Sequence, residues 1–119
     1  MLEHLTLETF KEKIMDFENN KEDWKFQGEL PAIIKFSASW CAPCKTLTPI
    51  LEDLSNEYNE KLNIYEIDVE DEMELSSLFG IKSVPSVLFI PMDGEPQMSV
   101  GMIPKAKIKE AIEDILISK

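Results

Sequence analysis

Apolar and polar residues alternate with helical spacing near the N-terminus of the chain. The apolar positions there recur at intervals of three and four residues: Leu7, Phe10, Ile14 and Phe17. This spacing predicts an amphipathic helix that begins after Thr6 and continues to the polar stretch 19–23. Thr6 is a suitable N-cap for this helix, but Thr9 is expected to be a poor partner for a capping box. A short edge strand is expected over residues 1–5.

A buried strand and a second helix are predicted next. Residues 31–37 are nearly all apolar, as expected of a strand that is buried on both faces, with Lys35 as the exception. The helix that follows is predicted to run from about Cys41 to Tyr58. Pro49 lies within it and should kink it, because proline removes one backbone donor and clashes with the preceding turn.

The second half of the chain predicts further strands and helices. In order, the pattern predicts a strand over 63–69, a helix over 70–79, strands over 86–90 and 97–100, and a helix over 104–117. Gly80 is placed to close the shorter helix in a left-handed conformation, and Asp93-Gly94 is a turn signal between antiparallel strands. Strands separated by helices pair in parallel. We therefore expect an α/β fold with a mixed central β-sheet and helices on both of its faces.

The length and charge of the chain limit what it does. At 119 residues it is predicted to form a single domain, residues 1–119. A net charge of −11 argues against binding to nucleic acid or to an anionic membrane surface. No apolar run approaches the roughly 18 residues that span a bilayer, and the start of the chain lacks the pattern of a signal peptide. We therefore expect a cytoplasmic protein, and the acidic surface favours a monomer.

The cysteines of the chain, Cys41 and Cys44, lie at a predicted junction between strand and helix. In a reducing compartment such a pair is more often catalytic or metal-binding than structural. A purely structural disulfide across so short a loop would add only about 2 kcal/mol of stability on the entropic model. We expect no metal, because tetrahedral zinc needs four ligands and His4 is the single histidine. For His4, a solvated or packing role is expected.

Four short segments resemble the thioredoxin family in their order and spacing. They are Trp40-Cys-Ala-Pro-Cys-Lys45, Pro49, Ile81-Lys-Ser-Val-Pro-Ser86 and Val100-Gly101. The similarity covers nearly the whole chain, and this combination is far more specific than a lone Cys-x-x-Cys. The resemblance implies a thioredoxin fold and a dithiol that reduces disulfides of client proteins. It also implies no bound cofactor, a redox-active Cys41–Cys44 pair, and thioredoxin reductase as the partner that reduces this pair.

The resemblance and the predicted helix together suggest roles around the cysteines. Cys41 would be the nucleophile, because a thiolate at a helix N-terminus faces unpaired N–H groups and the positive end of the helix dipole. Cys44, one turn into the helix, would be the shielded resolving thiol. By resemblance the Val84–Pro85 bond is cis and leaves the Val84 backbone free for an extended client segment, although a simple strand-start proline is the alternative. The resemblance further implies an apolar rim for clients: Trp40, Ala42, Pro43, Val69, Val84, Gly101 and Met102.

The chain departs from the thioredoxin pattern in three respects, the first of which concerns a pair of residues. Most relatives carry a buried Asp in place of Lys35 and a Lys in place of Glu66, so we predict a charge-reversed pair within salt-bridge or one-water distance. A cationic lysine cannot accept the proton of the resolving thiol. Either Glu66 acts as the base, burial neutralises Lys35, or water acts alone; a purely structural ion pair is the other interpretation. Ser37 replaces an aromatic residue and should reduce the cover over the disulfide, and Ala42 replaces the usual Gly.

The leading hypothesis is therefore a thiol–disulfide oxidoreductase that reduces client proteins. Two alternatives stay open at this point. One is a binding module of the same fold, in which the thiols are incidental. The other is a disulfide isomerase or oxidant.

Overall fold

The computed structural model describes residues 2–18 and 24–117. Its strands and helices follow in this order: β1 Glu3–His4, α1 Leu7–Lys13, β2 Ala32–Ser37, α2 Ala42–Glu57, β3 Asn63–Asp68, α3 Met73–Leu78, β4 Ser86–Ile90, β5 Gln97–Val100 and α4 Lys105–Ala111. A π-helical segment, Ile112–Leu116, continues α4. Across the two described ranges, no helix is long and apolar enough to cross a membrane.

The sheet has five strands in the order β1-β3-β2-β4-β5. Strands β1, β3 and β2 run parallel to one another, whereas β4 is antiparallel to β2, and β5 is antiparallel to β4. The central strand β2 is paired along both edges, and all six of its residues are buried. The predicted α/β fold with a mixed sheet is therefore confirmed. The predicted hairpin turn is present as well, with Gly94 at a φ of 99°.

Helices cover both faces of the sheet, and successive residues of β2 point to alternate faces. On one face, Ile33 packs with leucines of α2 and isoleucines near the C-terminus. On the opposite face, Ile34 packs with residues of α1 and α3. By the same alternation, Lys35 and Ser37 point toward the face that α2 covers. Two polar side chains of the central strand therefore lie beneath the helix that carries the cysteines.

Helix α1 ends at Lys13, well before the expected end in the stretch 19–23, which lies outside the described residues. The reason is a set of bonds from a distant segment. The backbone N–H of Gln27 donates to the Ile14 carbonyl at 2.8 Å, and its side-chain amide donates to two carbonyls of the last turn at 2.9 and 3.1 Å. These carbonyls are the ones that a longer helix would use. Phe17, which fits the helical spacing, still packs against a phenylalanine of α1 at a ring-centroid distance of 6.0 Å.

Three other element ends differ from the predictions. Thr6 and Thr9 form a complete capping box, in which each backbone N–H donates to the other hydroxyl at 2.8 and 3.2 Å, so the expectation of a poor partner is wrong. Helix α3 begins at Met73 rather than directly after β3, because the Asp68 carboxylate accepts two backbone N–H groups at 2.8 and 3.3 Å and holds a turn there. Pro104 is the N-cap of α4 and not a residue of its first turn.

Two further predictions concern the backbone of single residues. Gly80 follows α3 with a φ of 61°, as predicted for a residue that closes a helix in the left-handed conformation. Pro49 lies inside α2, which continues beyond it to Glu57. The kink expected at Pro49 stays a prediction.

Replacing Thr6 by Ala should lower the free energy of unfolding by about 1 kcal/mol, because the hydroxyl that accepts the Thr9 N–H is lost. Chemical denaturation followed by circular dichroism measures the change. Thr46→Ala is the matched control: its hydroxyl donates to a carbonyl of its own helix at 3.3 Å, and a change below about 0.5 kcal/mol is expected. Equal losses in the two variants would contradict the capping role.

Candidate redox-active site

The two cysteines form a disulfide where β2 leads into α2. Cys41 is the N-cap of α2, and its Sγ accepts the backbone N–H of Cys44 at 3.2 Å. The first N–H groups of a helix lack partners within the helix, and the helix dipole adds positive potential at the same end. A Cys41 thiolate is therefore stabilised at this position once the disulfide is reduced.

Both cysteines are buried in the oxidised protein. Cys41 is 3% and Cys44 is 2% exposed, and together with Ala38 they form a small apolar cluster. Val69 and Val84 pack against this cluster from two neighbouring loops. The shielding expected for Cys44 is present, and Cys41 is covered to a similar extent, which sequence reasoning did not anticipate.

Several residues of the predicted apolar rim are exposed. Trp40 is 69% exposed and Met102 is 46% exposed, and Ala42 and Pro43 are exposed as well. A groove of about 120 Å³ lies beside the cysteines and is lined by Trp40, Val69, Ile81, Lys82, Ser83 and Val84. Three residues of the predicted rim thus meet in one groove. Its other lining residues belong to the 81–86 segment but were not singled out, because their contact depends on how that loop turns toward α2.

Pro85 precedes β4, and its peptide bond with Val84 is cis, as the resemblance implies. The proline is buried, and its carbonyl accepts the backbone N–H of Gly101 at 2.8 Å. This bond joins the residues that follow β5 to the proline loop. Gly101 is thereby held beside Pro85, outside the groove that Trp40 lines, and Met102 follows it in the chain.

A polar cluster lies beneath α2 and on the same face of the sheet. Lys35 Nζ is 3.3 Å from Glu66 Oε1, so the predicted proximity of these two side chains is confirmed. The same ammonium group also donates to the hydroxyl of Thr48 on α2. Thr48 in turn donates to the carbonyl of Cys44 at 3.1 Å. The cluster is therefore connected to the first turn of the redox-active helix.

The burial of Lys35 explains why its partners are polar. The side chain is 1% exposed, and a buried ammonium is costly unless a counter-ion and hydrogen-bond acceptors compensate for its lost hydration. Glu66 supplies the negative charge and Thr48 supplies an acceptor. Ser37 donates to Glu66 Oε2 at 2.8 Å. The sequence alone predicts only that Ser37 reduces the aromatic cover over the disulfide. Its hydrogen bond to β3 gives it the additional role of orienting this carboxylate.

A cleft of about 240 Å³ connects the polar cluster to the disulfide. Its lining residues come from three strands, α2 and the loop between them: His4, Lys35, Ser37, Ala38, Ser39, Cys44, Lys45, Thr48, Glu66 and Asp68. Thr48 and His4 are among the lining residues that the sequence analysis did not place at the site. Thr48 could have been found from its spacing, because it lies four residues after Cys44 on the same helix. His4 could not, because its position depends on how β1 pairs with β3.

The donor chemistry of the site does not suit a metal. Among the residues that the structure describes, no group of three or more His, Cys, Asp or Glu side chains is arranged to hold a metal ion. Cys41 and Cys44 are joined to each other. What the site offers is a disulfide at a helix N-terminus, an apolar groove beside it and a partly buried carboxylate in the cleft below it. This fold and this cysteine pair define a thiol–disulfide oxidoreductase.

Comparisons with known proteins agree with this class. The model of the family described as thioredoxin matches residues 2–114. The chain is 46% identical over 110 residues to the thioredoxin of Borreliella burgdorferi, and the alignment covers 92% of this chain and 93% of that protein. It is 27% identical over 114 residues to the thioredoxin of Rickettsia bellii, with 96% of this chain and 98% of that protein covered.

Chloroplast proteins are also similar to the chain. It is 30% identical over 100 residues to the M-type chloroplastic thioredoxin of Spinacia oleracea, covering 82% of this chain and 55% of that protein. The solved structure of a chloroplastic thioredoxin z superposes with a TM-score of 0.74 at 26% identity, covering 93% of this chain and 90% of the other.

The chain belongs to the thioredoxin family. It is a thiol–disulfide oxidoreductase with protein-disulfide reductase activity, and its redox centre is the cysteine pair itself, so the reaction needs no bound cofactor.

Replacing Lys35 by Met should lower the free energy of unfolding by roughly 3 kcal/mol, because the partly buried Glu66 carboxylate loses its cation. The double variant Lys35→Met/Glu66→Gln should recover most of this loss, since neither site then carries a charge. Urea unfolding measures both. As a control, Lys105→Met removes an exposed pair with Asp53 at 3.8 Å and should cost less than about 1 kcal/mol. A Lys35→Met variant as stable as the wild type would show that the pair contributes nothing.

Proposed function

We propose that Cys41 is the nucleophile and Cys44 the resolving thiol in the reduction of client protein disulfides. The Cys41 thiolate attacks one sulfur of the client disulfide; the client S–S bond breaks, and its other sulfur leaves as a thiolate that takes up a proton. Cys44 then attacks Cys41 Sγ, the mixed disulfide breaks, and the second client thiolate leaves. Two electrons pass from the dithiol to the client, and the Cys41–Cys44 disulfide remains.

The observation that carries this assignment is the N-cap position of Cys41. Its Sγ accepts the Cys44 N–H at 3.2 Å, a bond that favours the thiolate over the thiol. Cys44 lies inside the first turn and lines the polar cleft. The two sulfurs thus meet different surroundings, which supports a division of labour between attack and resolution.

The apolar rim is proposed to receive the client. The exposed Trp40 ring and the groove between it and Val84 offer contact area for a partner of varied sequence. Met102, exposed at the rim, is a flexible side chain that repacks easily against different partners. Pro85 is proposed to present the Val84 backbone to an extended client segment. The proposed rim comprises Trp40, Ala42, Pro43, Val69, Val84, Gly101 and Met102.

Glu66 is proposed to be the base that takes the proton of Cys44. The carboxylate and Cys44 line the same cleft, whereas Lys35, as a cation, has no site for a further proton. Ser37 and Lys35 each bind one carboxylate oxygen and hold it in the cleft. The charge-reversed pair thus retains a base, with the carboxylate on β3 instead of β2.

The setting of the reaction is proposed by similarity. We infer that residues 1–119 act as one monomeric domain in the cytoplasm, as an electron carrier between a thioredoxin reductase and its clients. Similarity to two bacterial thioredoxins and the net charge of −11 support this setting. The alternative is a chloroplastic location, which the names of other relatives state for those proteins.

Cys41→Ser should reduce a model protein disulfide no faster than the small-molecule reductant alone, because the attacking sulfur is gone. Cys44→Ser should still attack, but should accumulate a mixed disulfide that it cannot resolve. Turnover with dithiothreitol and mass spectrometry of the trapped species measure the two effects. Wild-type turnover by Cys41→Ser would show that the thiols are incidental.

Glu66→Gln should slow resolution of a mixed disulfide roughly 10- to 100-fold at neutral pH, because the proposed base is lost. Rapid alkylation of free thiols during a single turnover measures this rate. Glu110→Gln, which neutralises an exposed carboxylate on α4, should leave it unchanged. An unchanged rate in Glu66→Gln would assign the proton to water and leave Lys35 and Glu66 as a structural pair.

A further inference from the structure

The polar cleft has a buried end and an exposed end. Cys44 and Lys35, 2% and 1% exposed, form the buried end. At the exposed end lies His4, whose side chain is 58% exposed. The Glu66 carboxylate, at 15% exposure, lies between them. A proton that leaves Cys44 for Glu66 is therefore still inside the cleft.

The position of His4 is determined by the sheet and not by a chance side-chain conformation. Strand β1 pairs in parallel with β3, and the register places His4 directly beside Glu66. The backbone N–H of Leu5 donates to the Glu66 carbonyl at 2.8 Å and holds this register. His4 Nε2 is 3.8 Å from Glu66 Oε2, a gap that a small side-chain rotation or one water molecule closes. The cleft of about 240 Å³ has room for water, which occupies about 30 Å³ per molecule in the liquid.

The charges around the cleft decide which group takes the proton onward. Lys35 from β2 and Lys45 from α2 are cations and have no site for it. The Asp68 carboxylate on β3 is engaged by two backbone N–H groups at 2.8 and 3.3 Å. The two oxygens of the Glu66 carboxylate already bind Lys35 and Ser37. Imidazole accepts and releases protons near neutral pH, and His4 is the lining residue that carries it.

We infer that His4 accepts the proton of the resolving step from Glu66 and passes it to solvent. This inference rests on the role proposed above for Glu66. Cys44 transfers its thiol proton to the Glu66 carboxylate and becomes a thiolate; the carboxylic acid transfers that proton to neutral His4; the imidazolium releases it to solvent. The Cys44 thiolate then attacks Cys41 Sγ, and the client thiolate leaves and is protonated by water. His4 thus takes the proton away before Cys44 attacks, so its loss slows the resolving step itself.

The test is the single-turnover rate of mixed-disulfide resolution at low buffer concentration. His4→Gln should be about 3- to 10-fold slower at pH 7.5, a smaller loss than for a direct base because water is an alternative acceptor. The ratio of the two rates should fall toward one as the pH is lowered, because a protonated imidazole accepts no further proton. Added free imidazole should restore the variant and leave the wild type unchanged. His4→Asn gives a second variant if His4→Gln folds poorly.

Two control variants distinguish the role of His4 from a general effect on strand β1 and from the role of Glu66. Glu3→Gln lies on the same short strand, but Glu3 pairs with Lys13 outside the cleft, and it should behave as wild type. His4→Gln/Glu66→Gln should be no slower than Glu66→Gln alone, because both residues act on one proton. A His4→Gln rate equal to wild type, or a loss that imidazole does not restore, overturns the role of His4. A wild-type rate in Glu66→Gln instead overturns the role of Glu66, and the role of His4 with it.

Discussion

The burial of β2 between β3 and β4 is the constraint on which the rest of the structure depends. Because both edges of the strand are paired and both faces are covered, each side chain has one direction available. Ile34 packs against α1 and α3, whereas Lys35 and Ser37 point beneath α2. The chain leaves the sheet directly after Ser37 and enters α2 at Cys41. The strand thus places the disulfide at its end and the polar cluster on its covered face.

The reversed charge pair changes which strands contribute to the chemistry. A carboxylate on β2 would have β3 and β4 as neighbours. On β3, Glu66 has Lys35 of β2 on one side and His4 of β1 on the other, both in register with it. The edge strand, only two residues long, therefore acquires a part in the site. Burial of the polar cluster costs desolvation free energy that an apolar core would avoid. This cost is more consistent with a functional role for the cluster than with a role in packing alone.

Much of the fold could be predicted because its signals are local. The apolar run of β2, the spacing along α2 and the turn at Gly94 each depend on neighbouring residues, and the structure agrees with them. The ends of α1 and α3 could not be predicted in the same way. Hydrogen bonds from Gln27, distant in the chain, end α1, and the Asp68 carboxylate delays α3. Helical periodicity carries no information on either.

The sequence by itself determined the redox pair, its position before a helix, the proline loop and the departure at Lys35 and Glu66. Each of these is a residue type at a fixed spacing, and spacing along the chain can be read directly from the sequence. Only the tertiary structure showed that Ser37 orients Glu66 and that Thr48 bonds to Lys35. It also showed that His4 lines the same cleft. These contacts join residues of different elements, and the strand order, the register and the packing of α2 on the sheet set their distances.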